Sequence, residues 1–304
     1  GYLNAYFYPQ DSSYGYRSSG YIYSSFRKTA RLWWGPFQGG HGAKAYGMGG
    51  AFVALADDAT GALWNPAGLA RIEGLWVGGA TATKFTAPGF EGVPFQFASL
   101  GTTFEGFGVG IAWGMATAGE LYSANAFIGT AALSFPVGEE FEVDVGFNAK
   151  YYMENLDGDS YNSFSFDVGL IVPIAETFSI GVAALDIAAA DISPVYRAGI
   201  AFSFLEGAAK LAADVCMVDM GLDSINFGLG LKLVEMLEIR AGAMVPGADF
   251  ENATFTVGAG LVIADLSVDA AYVLQGEPGD TLVLSLSYAF KELFAPAEEE
   301  VGTE

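Results

Sequence analysis

Apolar and polar side chains alternate along most of the chain from about residue 75 onward. In the segment 163–172, Phe164, Phe166 and Val168 fall on one face, whereas serine, aspartate and glycine occupy the other. The segment 282–290 shows the same pattern, with leucines and aromatic residues facing a row that contains two serines. A repeat of two residues is typical of β-strands that have one face in an apolar environment.

This alternation predicts fourteen strands, most of them about ten to twelve residues long. A tilted strand needs about that length to cross the hydrocarbon core of a bilayer, whereas strands in soluble sandwiches usually have about five or six residues. The predicted strands are 75–85, 94–104, 106–117, 125–135, 141–153, 163–173, 178–186, 195–205, 209–218, 224–234, 237–246, 252–263, 266–275 and 281–290.

The predicted connections alternate between long and short. The long ones are 86–93, 118–124, 154–162, 186–194, 220–223, 246–251 and 276–280. The short ones are 105–106, 137–140, 175–176, 206–207, 235–236 and 265. Outer-membrane barrels have long extracellular loops and short periplasmic turns, which an up-and-down order of strands produces. A Greek-key sandwich has no reason to alternate in this way.

The overall composition is consistent with a membrane-spanning barrel. The chain has 304 residues, 52% of them hydrophobic, yet it contains no run of 18 or more apolar residues that would form a transmembrane helix. Because every backbone N–H and C=O group must be paired in hydrocarbon, a closed barrel is the remaining way to cross. We therefore expect an all-β transmembrane protein, a 14-stranded antiparallel up-and-down β-barrel in the bacterial outer membrane, surrounded by lipid.

Charge and residue counts exclude several functions. The net charge of −22 disfavours nucleic acid as a partner. His41 is the only histidine and Cys216 the only cysteine, so neither a Ser-His-Asp system nor a zinc-binding spacing is present. The sequence therefore predicts no enzyme, no cofactor and no metal site.

Charged residues of both signs fall on the face opposite the lipid-facing one, and they predict a polar lumen with internal ion pairs. They are Glu142, Asp144, Lys150, Asp167, Arg197, Lys210, Asp214, Lys232, Glu238, Arg240 and Asp269. Inward glycines such as Gly228, Gly242 and Gly258 leave room that either water or a plug must fill. A charged, glycine-rich inner wall disfavours an apolar ligand pocket.

Residues 41–74 precede the barrel and predict a compact apolar unit that plugs it. Asp57 or Asp58 is expected to cap a short helix, Pro66 to end that helix, and Gly68 to supply a turn.

The same segment resembles the N-terminal signature of the PorV/PorQ family, within the FadL-like superfamily of outer-membrane barrels. The resemblance rests on Gly42-Ala43, on Gly47 to Ala54, on Ala56 to Ala59 and on Trp64 to Leu69. It implies a 14-stranded barrel whose lumen is closed by an N-terminal hatch. The hatch-motif residues are Gly49, Gly50, Asp57, Asp58, Trp64, Asn65, Pro66 and Gly68.

Two roles are open for Asp57, Asp58 and Asn65. They are expected to act as caps and turn-formers that lock the hatch to the first strand. Alternatively, they take part in gating or in ligand contact.

The ends of the chain form two further regions. Residues 1–40 are an aromatic, basic extension, and residues 291–304 are an acidic tail that we expect to be disordered. Tyrosine, tryptophan and arginine dominate interface hot spots, so the extension is a candidate arm for binding a partner protein, or a strap packed on the barrel. The candidate partner-binding residues are Tyr21, Tyr23, Arg27, Lys28, Arg31, Trp33 and Trp34.

Two functions remain in balance. FadL-like barrels pass hydrophobic small molecules through a plugged lumen, so the resemblance implies transport through a hatch that gates the barrel 75–290. PorV-like members instead anchor or shuttle secreted or surface proteins, and the unusual arm would then be the binding element.

Overall fold

Backbone pairing joins fourteen antiparallel strands in chain order and closes them into a barrel. The strands are β1 (Gly74–Lys84), β2 (Phe95–Phe104), β3 (Phe107–Ala118), β4 (Tyr122–Val137), β5 (Phe141–Leu156), β6 (Asp159–Ala175), β7 (Phe178–Leu185), β8 (Val195–Phe204), β9 (Ala209–Val218), β10 (Gly221–Val234), β11 (Leu237–Pro246), β12 (Thr254–Ile263), β13 (Leu266–Leu274) and β14 (Thr281–Phe290). Closure pairs β1 with β14, from Leu75 opposite Phe290 to Lys84 opposite Thr281. The predicted 14-stranded barrel is confirmed.

The computed structural model describes residues 40–72, 74–84, 94–118, 122–138, 141–156, 158–175, 177–189, 192–275 and 280–290. The predicted arm, apart from Gly40, and the acidic tail lie outside these residues. No helix in the described part of the chain is long and apolar enough to cross a membrane.

The two faces of the wall differ as the alternation predicts. Side chains on the outer face are apolar and exposed, for example Ile111 at 64% and Phe164 at 68% of their accessible surface. Their neighbours in sequence, such as Ser165 and Asp167, are fully buried on the lumen side. Such an apolar outer belt matches the hydrocarbon layer that surrounds a membrane barrel.

Three of the predicted long loops are wrong. Leu156 pairs directly with Asp159, so residues 157–158 alone join β5 and β6, in place of the predicted loop 154–162. The β3–β4 and β9–β10 connections shrink to 119–121 and 219–220. Backbone pairing continues there beyond the expected strand ends, since a hairpin satisfies its own N–H and C=O groups outside the membrane. The connections 85–94, 186–194, 247–253 and 275–280 remain longer and mark the outer end.

The hatch lies inside the barrel and differs locally from its prediction. It contains the helix α1 (Ala43–Gly47) and two 3-10 helices, Gly61–Leu63 and Pro66–Arg71. Pro66 begins the second of these rather than merely ending the first, and Gly68 lies within it rather than in a turn. Proline fits there because the first residue of a helix has no partner for its N–H.

Hydroxyl groups on the wall hold the irregular backbone of the hatch. Ser99 Oγ donates to Ala59 O at 2.8 Å, and Thr103 Oγ1 donates to Leu69 O at 2.7 Å. On β14, Ser285 Oγ accepts from the Ala43 N–H at 2.7 Å. These bonds satisfy polar groups that a short plug cannot pair within itself.

Glycines on the inner wall allow the hatch backbone to approach the strands. A Cβ atom at Gly146 would overlap the backbone of Pro66, and one at Gly242 would overlap the backbone N of Gly49. Gly228 and Gly258 meet the hatch in the same way, at Met48 and Gly47. The space that these glycines leave is therefore filled by the plug rather than by water.

The glycine contacts give a direct test of this packing. We expect Gly242→Ala to lower the stability of the barrel in detergent, because overpacking a tight contact costs about 1–3 kcal/mol. Gly129→Ala is the matched control, since a Cβ there would meet nothing within 4 Å. The melting temperature of each variant, followed by the loss of the folded band in gel electrophoresis, measures the difference. Equal melting temperatures for the two variants would contradict the close packing.

Candidate functional site

Trp64 is the centre of the hatch. Its side chain is 2% exposed, and its indole N–H donates to His41 O at 2.9 Å. The ring packs edge-on against Phe52, with 6.0 Å between centroids, and the guanidinium of Arg197 from β8 lies 4.6 Å from the ring centroid. A cation over an indole face is favourable, so Arg197 holds the hatch to the wall instead of facing open water.

Asn65 joins the hatch to two strands. Its side-chain oxygen accepts from the Ala67 N–H at 3.1 Å and thereby caps the second 3-10 helix. Its amide group lies 2.9 Å from Val53 O, and 3.1 and 3.3 Å from the carbonyls of Leu170 on β6 and Val182 on β7. Asn65 thus caps this 3-10 helix, and its contacts with the wall are to β6 and β7 rather than to the first strand.

Asp214 on β9 is a second anchor. Its Oδ2 accepts from the N–H groups of Phe52 and Val53 at 2.7 and 2.9 Å. The carboxylate is 1% exposed, so removing it would leave two buried N–H donors without this acceptor.

The two neighbouring acids of the hatch have different roles. Asp57 forms ion pairs with Lys44 at 2.8 Å and with Lys210 on β9 at 3.0 Å, so it does not act as the predicted helix cap. Asp58 is the turn-former, since its Oδ1 accepts from the backbone N–H of Thr60 at 2.8 Å and from its hydroxyl at 2.7 Å.

The charge state of the hatch follows from these contacts. Burial disfavours the charged form of Asp57, but the ammonium groups of Lys44 and Lys210 outweigh it and hold the pKa of Asp57 well below its usual range. Burial also opposes charge on Lys44, yet the carboxylates of Asp57 and Asp58 raise its pKa. Burial raises the pKa of Asp58, which has no such pair of cations. Asp57 and Lys44 therefore remain ionised at neutral pH, and the contact of Asp57 with Lys210 ties the hatch to β9.

The remaining predicted lumen charges lie at several places along the wall. Arg240 Nε is 2.7 Å from Glu238 Oε1 and Arg240 Nη1 is 2.5 Å from Asp269 Oδ1, both within the wall below α1. Arg71 of the hatch lies 3.7 Å from Asp144. Glu142 and Lys232 are exposed near the periplasmic ends of β5 and β10. In the part of the chain that the structure describes, no group of acidic, histidine or cysteine side chains could hold a metal ion.

The outer half of the lumen is apolar, whereas the sequence predicted a charged inner wall. We call this surface the outer lumen wall, and each of its side chains is at most 6% exposed. It consists of Phe95, Phe97, Tyr122, Ile128, Tyr152 and Ile192. The expected charged, glycine-rich inner wall is therefore wrong for this half of the barrel. The alternation in 95–104 shows which residues share a face, but apolar residues occur on both faces, so it cannot tell lumen from lipid.

The hatch and the outer lumen wall form one continuous apolar cluster. Phe52, Leu63 and Trp64 of the hatch belong to the same group of buried side chains as the wall residues. The ring of His41 stacks on Phe95, with 3.5 Å between centroids and 12° between planes. The upper surface of the plug is thus the floor of an apolar site.

A buried charge network borders this site on β5 and β6. Lys150 Nζ is 2.8 Å from Asp167 Oδ2 and 3.3 Å from Asp186 Oδ1. Tyr152 OH donates to Asp186 Oδ1 at 2.8 Å. Asn148 Nδ2 donates to Asp167 at 2.7 Å and lies 2.9 Å from the hatch carbonyl of Ala62. The predicted site residues did not include Asn148, Tyr152 or Asp186. For Asp186 the reason is that nothing in the sequence places a loop aspartate inside the lumen.

The barrel wall is interrupted beside this network. β7 has eight residues and ends at Leu185, whereas β6 has seventeen, and their pairing stops at Val168 opposite Ala184. Asp186 then turns inward, and its N–H donates to Asp167 Oδ1 at 2.8 Å. Beyond Val168, the residues that the structure describes on the β7 side form one more backbone hydrogen bond to β6, in which the Ile187 N–H donates to Phe166 O at 3.0 Å. We call residues 186–189 and 192–194 of this connection the strap; its Asp186 bonds into the lumen network and its Ile192 packs in the apolar cluster.

The fold of this barrel is similar to that of solved hydrocarbon channels and transporters. The chain is similar in structure to the CymD monoaromatic hydrocarbon channel, with a TM-score of 0.62 and 15% identity over 83% of this chain and 98% of that one. It is also similar to the Ralstonia pickettii toluene transporter TbuX, with a TM-score of 0.59 and 12% identity over 83% of this chain and 99% of that one. A Pseudomonas aeruginosa FadL homologue has a TM-score of 0.55 and 12% identity over 83% of this chain and 98% of that one. Identities this low establish a shared fold.

No protein-family model matches the sequence, and no curated protein matches it either.

The charge network predicts how the strap is held. Lys150→Met would leave the carboxylates of Asp167 and Asp186 buried without their cation, and breaking a buried pair in this way costs about 3–5 kcal/mol. We expect the strap to detach. A cysteine introduced at Ile192 should then react much faster with a water-soluble maleimide than the same cysteine does in a protein that keeps Lys150. Lys232→Met is the control, because Lys232 is exposed. Unchanged labelling at position 192 would show that the network does not hold the strap.

Proposed function

We propose that this chain is a non-enzymatic channel for hydrophobic small molecules, located in the outer membrane and gated by the hatch. The observation that carries the proposal is the outer lumen wall, with Trp64 and Phe52 of the hatch as its floor. A lining that is apolar on its sides and floor favours apolar molecules over polar solutes.

The energetics suit a channel rather than a tight binder. A small hydrocarbon that buries about 200 Å² of apolar surface gains roughly 5 kcal/mol. Loss of translational and rotational freedom offsets a large part of this gain. Binding of that strength concentrates a ligand in the lumen and still releases it quickly.

The hatch would act as the barrier. Backbone contacts at glycines such as Gly146 and Gly242 leave no wide gap between plug and wall at that level. A molecule in the outer lumen therefore needs either a movement of the hatch or an exit through the wall. At the break above Val168, beside the strap, only one backbone bond between the described residues of the β7 side and β6 opposes such an exit.

The names of structurally similar proteins support the class of ligand. CymD is described as a channel for monoaromatic hydrocarbons and TbuX as a transporter of toluene. We propose a ligand of the same chemical class for this chain, since the outer lumen wall contains Phe95, Phe97 and Tyr152, whose rings pack well against another aromatic ring.

A docking role of the PorV/PorQ type is the alternative proposal, and the sequence of the arm supports it. Tyr21, Tyr23, Arg27, Lys28, Arg31, Trp33 and Trp34 would then bind a secreted or surface protein. Deletion of residues 1–36 should leave the barrel folded and remove a co-purifying protein partner, as measured by mass spectrometry. Retention of the partner by the shortened chain would count against an adhesive arm.

Transport is tested by placing a charge in the outer lumen wall. Phe97 is 6% exposed, so Phe97→Asp would put a carboxylate into the apolar site. We expect uptake of radiolabelled toluene to fall at least about tenfold, in cells whose own hydrocarbon channels are deleted, because an unpaired charge is costly in such surroundings.

Phe97→Leu is the matched control and should retain most of the uptake, since it keeps the site apolar. Both variants must give the folded band on gels in equal amount. Equal uptake by Phe97→Asp and the parent chain would contradict transport through this lumen.

A further inference from the structure

The outer face of β1 to β6 carries a groove of about 650 Å³ that is separate from the lumen. Its rim consists of the aromatic side chains Trp113, Phe127, Tyr151, Phe164 and Phe166. The register places Phe127 directly opposite Trp113 and Tyr151, and Tyr151 directly opposite Phe164. The aromatic rim therefore runs as one row across four neighbouring strands.

Two small residues form the floor. Gly129 on β4 lies opposite Ile111 on one side and Ala149 on the other, and Ala149 lies opposite Phe166. A Cβ atom at Gly129 would meet nothing within 4 Å, whereas the inward glycines of the same wall touch the hatch. Gly129 is thus not required by packing inside the protein, and its missing side chain is what makes the outer face concave.

The groove offers a ligand little polar chemistry. The indole N–H of Trp113 donates to Asn125 Oδ1 at 3.1 Å, within the same wall. Lys150 and Ser99 border the groove, but both side chains are buried on the lumen side and bond there. What remains towards the membrane is almost entirely hydrocarbon and aromatic surface, of a size typical of pockets that bind a single organic molecule.

We propose that this groove binds one acyl chain of a membrane lipid. The groove opens onto the belt of exposed apolar side chains, which the hydrocarbon layer surrounds, so lipid chains are present there in large excess. A flexible chain can follow the slot over Gly129 and Ala149 while the aromatic rings of Phe127 and Tyr151 flank it. A lipid headgroup finds no matching donor in the groove and would stay at the membrane surface. The proposal does not depend on transport through the lumen.

The position of Trp113 gives a spectroscopic test. Of the described tryptophans, Trp64 and Trp76 are 2% and 4% exposed and face the interior, whereas Trp113 is in the rim. A phosphatidylcholine with brominated acyl chains quenches tryptophan fluorescence on contact. Titrating it into the full-length chain in detergent, and subtracting the same titration of Trp113→Phe, isolates quenching at the groove.

We expect saturable quenching of Trp113 with a stoichiometry near one lipid per barrel, reversed by unbrominated lipid. Gly129→Phe fills the groove and should weaken this binding at least tenfold. Ala149→Phe fills it from the neighbouring strand and should do the same if Gly129→Phe folds poorly. Ala131→Phe is the control, because Ala131 is the next outward residue of β4 and lies outside the groove.

Two results would overturn the proposal. One is quenching that rises without saturation and is equal in the parent and Gly129→Phe. The other is saturable quenching by a free brominated alkane that brominated phospholipid fails to reproduce, which would assign the groove to another class of ligand.

Discussion

The need to pair every backbone N–H and C=O group within the membrane determines this structure. Pairing of β1 with β14 closes the barrel, so that the first and last strands are not left with an unpaired edge. Each side chain of the closed wall then faces either the lipid or the lumen. The long strands β4 to β6 continue the same pairing beyond the expected membrane boundary. Where pairing stops, at the early end of β7, the N–H of Ile187 still donates to Phe166 O on β6, and Asp186 turns into the lumen.

Inside the ring, the hatch faces the same requirement with an irregular backbone. Short helical turns pair only part of its polar groups, so the wall supplies partners for others, for example through Ser99, Thr103, Ser285 and Asp214. Glycines on the inner wall make these bonds possible. They let the hatch backbone lie close to the strands, and a wall hydroxyl reaches a hatch carbonyl only at such short separations. The plug is therefore fitted to this barrel at the level of individual strands, and it is not an interchangeable filler.

The period-two pattern was sufficient to predict the number of strands and their order, and the compact apolar segment 41–74 predicted the plug. It was less informative where both faces of a strand are apolar, as in 95–104, since the pattern is then the same whichever face looks inward. It also could not foresee that the predicted loop 154–162 continues as paired strand, because polar residues suit both a loop and an emergent hairpin.

The partners of the hatch were beyond the reach of the sequence for a different reason. Asn65 and Asp57 carry local signals of caps and turns, yet each also contacts a strand more than a hundred residues away in the chain. Asp186 shows the same limit, since its loop position predicts exposure and its contacts with Lys150 and Tyr152 bury it.

Asn148 is the residue through which the outer site and the hatch depend on each other. Its amide group contacts the hatch carbonyl of Ala62 and also donates to Asp167, which in turn accepts from the first N–H of the strap at Asp186. Thr130 fixes the orientation of this amide by donating to its oxygen at 2.7 Å. A displacement of the hatch at Ala62 would therefore remove a partner from the group that holds the strap, and release of the strap would loosen the hatch. The hatch and the strap are consequently joined by one continuous chain of hydrogen bonds, which runs from Ala62 through Asn148 and Asp167 to Asp186.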